Sequence, residues 1–292
     1  MAQSPADVPV HAFVPSLPAY RSDWKSIELP DVPDRIQREA KEWQNAAQMA
    51  DWLKVRAAVG GGLADRWSEL AMLFGSAGET LALACGARGE IAAWQTFRAT
   101  GEPSLLSGIG MRAFTEMEAY YLLGCGHRLI NVTAKLLAVD ETVHDAFQSK
   151  FKTTFEPFSN AQRDWLPLNE SKATALNEIA GASQHASLQM SAKPITRLVA
   201  DVRWTVLTEQ RHVDFHRWRP QSPGVLVHPP RSFREPTSDG GYAISVGASS
   251  HQESGELPER LAAAGTGAAQ AITEAMTDFR SCWTTAVGEM LA

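Results

Sequence analysis

Residues 206–220 read VLTEQRHVDFHRWRP and bring together side chains suited to phosphate chemistry. Arg211 and His216 are five positions apart, and His212 follows the arginine directly. An imidazole titrates near neutral pH and can act as a general acid or base. A guanidinium is permanently charged and can bind a phosphate through two hydrogen bonds. These types predict phosphodiester cleavage without a metal, with His212 as a further polar group beside the phosphate.

The chain around this box is locally basic. Six arginines lie between positions 203 and 234 against two acids, although the whole chain carries a net charge of −6. A cationic patch of this kind favours phosphate binding. The predicted substrate-binding residues near the box are Arg217, Trp218, Arg219, Arg231 and Arg234. Cations at a helix C-terminus also complement the helix dipole, so the patch has a purely structural explanation as well.

The spacing R-x4-H, with a polar residue after the arginine, resembles the ribonuclease signature of the HEPN superfamily (higher eukaryote and prokaryote nucleotide-binding domains). Trp218 takes the second place after His216, where some members carry tyrosine. The earlier run 104–138 is similar to the long early helices of such domains. It contains the polar residues Glu116, Glu118, His127 and Arg128. The resemblance covers residues 104–220.

The resemblance implies an all-α domain with metal-independent endoribonuclease activity, of the kind found in toxin or antiviral systems. Arg211 and His216 would be catalytic, and His127 would face them and orient the phosphate. RNA would be the substrate, because the reaction uses the 2′-hydroxyl. The resemblance also implies a homodimer with two facing boxes. Residues five apart on a helix diverge by about 140°, so the pair converges only if the helix ends between them or a second copy supplies one wall.

Two other interpretations of the box remain open. Glu209, His212 and His216 form E-x2-H-x3-H on one helical face, which suits zinc or iron, and a single axial histidine would suit haem. Against a cation, Arg211 and Arg217 place positive charge beside these ligands. Alternatively, the box only ends a helix, and the protein is a non-catalytic helical interaction module.

Bulk properties indicate a globular protein that binds no membrane. The chain has 292 residues, 44% of them hydrophobic, and no apolar run that approaches membrane-spanning length is evident. The N-terminus lacks the basic and apolar parts of a signal peptide. Three cysteines without CxxC spacing, Cys85, Cys125 and Cys282, are typical of a reduced protein. We therefore expect a cytoplasmic location.

The sequence around the box predicts an all-α helical bundle with a long Pro/Gly-rich loop or small β-hairpin before the last helix. We expect an extended Pro-rich arm at 1–30, the bundle at 31–220, an excursion at 221–256 and a C-terminal helix at 257–292. In the excursion, VLVH and YAISV are candidate paired strands.

Within the bundle, apolar periodicity predicts the individual helices. We expect a break at Gly86–Gly89, a long helix from Ser104, helices at 140–152 and 171–190, and one helix from Pro194 to Trp218. Four tryptophans fall on helical apolar stripes and are predicted to lie in the core: Trp43, Trp67, Trp94 and Trp204.

Overall fold

The computed structural model describes residues 34–48, 61–100, 105–151, 165–216, 231–236, 242–247 and 257–291. The helices are α1 (Asp34–Gln48), α2 (Gly61–Thr100), α3 (Leu105–Leu137), α4 (His144–Phe151), α5 (Glu170–Gly181), α6 (Ala186–Ser191), α7 (Lys193–Ala200), α8 (Val202–His216) and α9 (Leu257–Leu291). A 3₁₀ turn at Glu141–Val143 precedes α4. The predicted all-α bundle is confirmed. The predicted arm at 1–30 lies outside the described residues.

The centre of the bundle is an antiparallel pair formed by α2 and α3, which are joined by residues 101–104. Close to that connection, Gly110 lies under the indole of Trp94. At the far end, Lys135 forms an ion pair with Glu69 at 3.2 Å. Because the connection is short, the two long apolar helices fold back on each other as a helical hairpin.

The predicted break at Gly86–Gly89 is wrong, because α2 continues through both glycines. A helical glycine costs about 1 kcal/mol relative to alanine, which weakens a helix without ending it. Buried apolar residues on both sides of the glycines, such as Leu81 and Ile91, stabilise the helix through packing. Tertiary contacts therefore outweigh the local propensity.

The predicted single helix from Pro194 to Trp218 is also wrong, because it is divided at Asp201 into α7 and α8. Asp201 has extended backbone angles (φ −75°, ψ 123°). Its side chain accepts a hydrogen bond from the backbone N–H of Arg203 at 2.8 Å, and its carbonyl accepts from the N–H of Trp204. Asp201 thus caps the start of α8, which an apolar pattern alone does not reveal.

The helices predicted at 171–190 are α5 and α6, which are separated by a turn at residues 182–185. The hairpin prediction holds for one strand only. β2 (Tyr242–Gly247) contains YAISV, but its partner is β1 (Arg231–Pro236) rather than VLVH. Pairing with β1 needs a connection of only residues 237–241, within the usual length of hairpin loops.

One hydrophobic core joins residues from α1 to α9, including Ile36 and Ala286. At its centre the rings of Trp43 and Phe74 stack with centroids 3.8 Å apart. The burial predicted for three of the stripe tryptophans, Trp43, Trp94 and Trp204, is confirmed. The side chain of Trp67 lies outside the described residues. The first hundred residues therefore contribute α1 and α2 to the core that supports α8.

By length and composition, one helical stretch in the described part of the chain could cross a membrane. It comprises Glu69–Thr96 of α2, and more than half of its most apolar window is buried inside the bundle. A core helix of a soluble bundle has the same composition. The absence of a membrane partner stays a prediction.

Candidate functional site

The box lies on α8, and α8 is held against α3 by a close contact. A Cβ added to Gly126 of α3 would lie 2.7 Å from two carbon atoms of the Trp204 indole. Trp204 and Leu207 are buried, whereas Val206 and Glu209 are exposed. Arg211 follows Trp204 by seven residues, and so lies two turns further along the same side of the helix. This side faces the bundle.

The positive charge of Arg211 influences the protonation of His127 on α3. Burial lowers the pKa of His127 below its ordinary value of 6.5, and the positive charges of Arg211 and Arg128 lower it further. The imidazole is therefore neutral at pH 7. His127 was expected to face the box, and one member of the box, Arg211, lies close enough to interact with it electrostatically.

The tautomer of His127 follows from its hydrogen bond. Its Nδ1 accepts the backbone N–H of Leu168 at 2.8 Å, so in the neutral ring the proton is on Nε2. One turn further along α3, Nδ2 of Asn131 donates a hydrogen bond to the carbonyl oxygen of Leu166 at 2.8 Å. Oδ1 of Asn131 accepts a hydrogen bond from the backbone N–H of Leu166 at 2.9 Å. His127 and Asn131 together fix the extended residues 165–168 against α3. The sequence analysis missed Asn131, although a histidine and an asparagine four apart in an apolar helix were a usable signal.

Arg128 lies on the neighbouring side of α3. Its Nε donates to the hydroxyl oxygen of Ser76 at 2.9 Å, and its Nη1 donates to the carbonyl oxygen of Gly124 at 3.2 Å. The side chain is partly buried. In the sequence analysis Arg128 was only one of several polar residues in a long helix. In the structure it is the second cation beside His127.

The helix bearing Arg211 and His216 has no break between them, since α8 runs to His216. On a continuous helix these two positions diverge by about 140°. Position 216 lies about 20° from position 209, whose glutamate is exposed, whereas position 211 lies on the Trp204 side. Two arrangements would bring the pair together: a helix end between the two residues, or a second copy of the chain that supplies one of them. The first is absent because α8 is continuous, so the second is the arrangement left. The side chains of His212 and His216 lie outside the described residues.

The remaining predicted substrate-binding residues are distributed along the following segment. Arg217, Trp218 and Arg219 lie outside the described residues. Arg231 and Arg234 are on β1, opposite Gly247 and Ile244 of β2 respectively. Positions three apart on a strand belong to opposite faces, so positions 231 and 234 lie on opposite faces of the hairpin.

The alternative metal site of Glu209, His212 and His216 stays a prediction, because only Glu209 has a described side chain, and it is exposed. Among the side chains that the structure describes, no group of three histidines, cysteines, aspartates or glutamates is placed to hold a metal ion. Burial raises the pKa of Cys85 and of Cys125 to about 12 each, so both thiols are protonated at neutral pH. Protonated thiols are poor metal ligands and poor nucleophiles.

A second titratable group lies deep between α2, α3 and α9. Glu118 is 1% exposed, and its Oε1 accepts from Nε of Arg88 at 2.7 Å. Arg88 also donates to the carbonyl oxygen of Ala262 at 2.7 Å. The other oxygen, Oε2, is buried and accepts no hydrogen bond from the residues described. Burial raises the pKa of Glu118 to about 7, although Arg88 opposes the shift.

We found no protein family model that matches this chain, and no curated protein or solved structure that matches it. The HEPN resemblance therefore depends on the residues quoted for it, and the site must be argued from its own geometry.

Proposed function

We propose that this protein is a metal-independent endoribonuclease in which Arg211 binds the scissile phosphate. The observation that carries the proposal is the placement of Arg211 on the bundle-facing side of α8, close to the neutral imidazole of His127. Nδ1 of His127 is occupied by Leu168, which leaves the Nε2–H group as a hydrogen-bond donor. The permanently charged guanidinium of Arg211 and the neutral Nε2–H donor of His127 are complementary to the negative charge that develops on a phosphodiester in its transition state.

His216 supplies the general base in this proposal, and it comes from a second copy of the chain. Its position diverges from Arg211 by about 140° on the uninterrupted α8, so one copy does not bring both groups to one phosphate. In a symmetric homodimer, Arg211 and His127 of one copy meet His216 of the other. His216 removes the proton of the 2′-hydroxyl, whose oxygen attacks phosphorus. The 5′-oxygen leaves and takes a proton from water, and His212 is a polar neighbour of the phosphate.

The substrate is RNA, because DNA lacks the attacking 2′-hydroxyl. The cations that follow α8 in the sequence, Arg217 and Arg219, bind flanking phosphates in this proposal, and Trp218 stacks on a base. Arg231 and Arg234 belong to opposite faces of the hairpin, so each contacts a different part of the RNA.

The first test uses labelled RNA in excess EDTA with purified protein and its Arg211→Ala and His216→Ala variants. We expect cleavage that survives the chelator and falls at least about 100-fold in both variants. Arg197→Ala is the control, because Arg197 is an exposed arginine that pairs with Asp278 on the bundle surface. Intact RNA with the unaltered protein would contradict the proposal, as would full activity in either variant.

The second test addresses the composite site. When the two inactive variants are mixed and allowed to exchange subunits, half of the dimers contain one copy of each. One of the two sites in such a dimer has Arg211 and His216 intact, so about a quarter of the original activity returns. A mixture that stays inactive, although the subunits exchange, would place both groups in a single copy or remove one of them from catalysis.

A further inference from the structure

Arg128 differs from four other partly buried arginines in the nature of its partners. Each of four such arginines elsewhere in the bundle pairs with a carboxylate: Arg88 with Glu118, Arg112 with Glu116, Arg203 with Asp201 and Glu274, and Arg280 with Glu39. Arg128 contacts a hydroxyl and a carbonyl oxygen instead. Within the described part of the chain it has no carboxylate at ion-pair distance. Among the residues that the structure describes, the hydrogen-bond partners of its guanidinium are therefore neutral groups.

The surroundings of Arg128 make the binding of an anion to its guanidinium favourable. Partial burial removes water from the guanidinium, and neutral acceptors do not compensate the charge as a carboxylate does. Glu79, the exposed carboxylate one turn from Ser76 on α2, forms no ion pair with Arg128. The arginine is nevertheless oriented, because Ser76 and Gly124 fix its Nε and Nη1. An oriented, uncompensated guanidinium is a suitable group for binding an oxyanion.

Ser76 adds a second donor at the same place. Its hydroxyl oxygen accepts from Nε of Arg128, so its own proton is available to donate. A phosphate oxygen beside Nη2 of Arg128 would be within reach of that hydroxyl. Next to this pair on α3 is His127, which is close to Arg211. The cationic and polar groups thus continue from α8 across α3 to α2.

We propose that Arg128 and Ser76 form a phosphate subsite beside the Arg211–His127 pair, and that this subsite binds a neighbouring phosphodiester of the same single-stranded RNA. This assignment rests on the proposed function for the identity of the ligand. It also predicts the path of the bound RNA, which runs from α8 over α3 toward the exposed side of α2. It also gives a role to the one cation beside His127 that the box does not include.

The test measures binding without cleavage. A fluorescent single-stranded RNA oligonucleotide is titrated with protein carrying His216→Ala, in EDTA and over a range of salt concentrations. We expect Arg128→Gln to weaken binding about tenfold and to reduce the slope of log Kd against log salt by about 0.7, as for the loss of one phosphate contact. Arg128→Lys should retain most of the slope, because the charge is kept. Ser76→Ala should weaken binding less than Arg128→Gln does.

Arg112→Gln is the matched control, because Arg112 lies on the same helix, is similarly exposed and has Glu116 as its partner. It should change neither affinity nor slope. Circular dichroism and thermal melts establish that each variant is folded. If Arg128→Gln does not fold, Arg128→Lys and Ser76→Ala provide the comparison. Unchanged affinity and slope in a folded Arg128→Gln protein would overturn the subsite, as would unchanged affinity in both Arg128→Lys and Ser76→Ala where Arg128→Gln does not fold.

The outcomes separate this inference from the proposed function. RNA that is cleaved normally, with Arg128→Gln binding as tightly as its parent, would remove the subsite and leave the ribonuclease. Loss of RNA binding in Arg128→Gln, with no cleavage by any form, would leave the subsite and remove the ribonuclease. Inorganic phosphate serves as the small-ligand probe: it is titrated into the protein, and the NMR resonance of the Arg128 Nε–H group is followed. A response to phosphate, with no effect of the variants on RNA binding, would overturn the assignment to a polynucleotide.

Discussion

Gly126 of α3 and Trp204 of α8 are in such close contact that a Cβ at position 126 would lie 2.7 Å from the indole ring and 2.8 Å from the Leu168 side chain. This contact sets the distance between the two helices. Because Arg211 is two turns beyond Trp204 on the same side of α8, the contact also sets the separation of Arg211 from His127, the residue next to Gly126. The proposed phosphate site thus depends on a glycine that carries no functional group.

Gly126→Ala should destabilise the protein. A methyl group there meets a buried tryptophan, and overpacking of this kind costs about 1–3 kcal/mol, more than the gain in helix propensity. Gly86→Ala is the matched control, because it is a helical glycine whose added Cβ would meet no atom within 4 Å. It should raise the free energy of unfolding by roughly 0.5–1 kcal/mol. Urea denaturation measures both, and a Gly126→Ala protein as stable as its parent would refute the tight contact.

The pKa of His127 should rise when Arg211 is replaced by glutamine, because one of the positive charges that lower it is removed. NMR titration of the imidazole resonances measures this shift, with Arg112→Gln as a control that leaves the value unchanged. An unaltered pKa in Arg211→Gln would mean that the guanidinium is not close to the ring.

The same histidine makes stability depend on pH. Its pKa in the folded state lies below the ordinary value of 6.5, so the folded protein binds fewer protons than the unfolded chain just below that pH. The contribution of His127 to stability is therefore complete above pH 6.5 and decreases as the pH falls below it. His127→Gln, which does not titrate, should lack this part of the pH dependence in urea denaturation.

Glu118 should give a pH dependence of the opposite sign. Its pKa is about 7 in the folded protein, against 4.5 for an ordinary glutamate, so the folded state retains a proton that the unfolded state releases. Stability should fall as the pH rises from 4.5 to about 7, by at most about 1.4 kcal/mol per pH unit, and then level off. Glu118→Gln should remove this slope, whereas Glu79→Gln, at an exposed position on α2, should retain it. Identical slopes in all three proteins would show that the Glu118 pKa is not raised.

Asp201→Ala should destabilise α8 by about 1–2 kcal/mol, because it removes the cap on the N–H of Arg203 and the ion pair with the same residue. Asp201→Asn keeps a capping oxygen and should lose less. Hydrogen bonds from Arg203 hold the pKa of Asp201 below 3.8, so its charged form stabilises the fold above that pH and the effect disappears in acid. Thermal melts of the three proteins at pH 7 and pH 3 give the comparison. Equal losses in both variants at pH 7 would assign the effect to charge alone.

The long helices were predictable because their signal is local. Apolar residues recur every three or four positions over α3 and α9, and a pattern of that length overrides individual unfavourable residues. The errors occurred where one residue decided the outcome. Gly86 did not end α2, because packing on both sides of it supports the helix. Asp201 did end α7, because its carboxylate accepts the backbone N–H of Arg203 in the first turn of the next helix. The strand partner of β2 was misplaced because loop length, not apolar content, selected β1.

Residue types and short-range spacing were sufficient to predict the all-α class and the burial of Trp43, Trp94 and Trp204, because these depend on neighbours a few positions away. The tertiary structure decided which side chains meet. It placed Arg211 near His127, surrounded Arg128 with neutral groups and buried Glu118 against Arg88. His127 and Arg211, Arg128 and Ser76, and Glu118 and Arg88 are each separated by tens of residues along the chain. Such pairings arise from how whole helices pack, since burial and distance, rather than residue type, fix the pKa of a side chain and the charge it must bind.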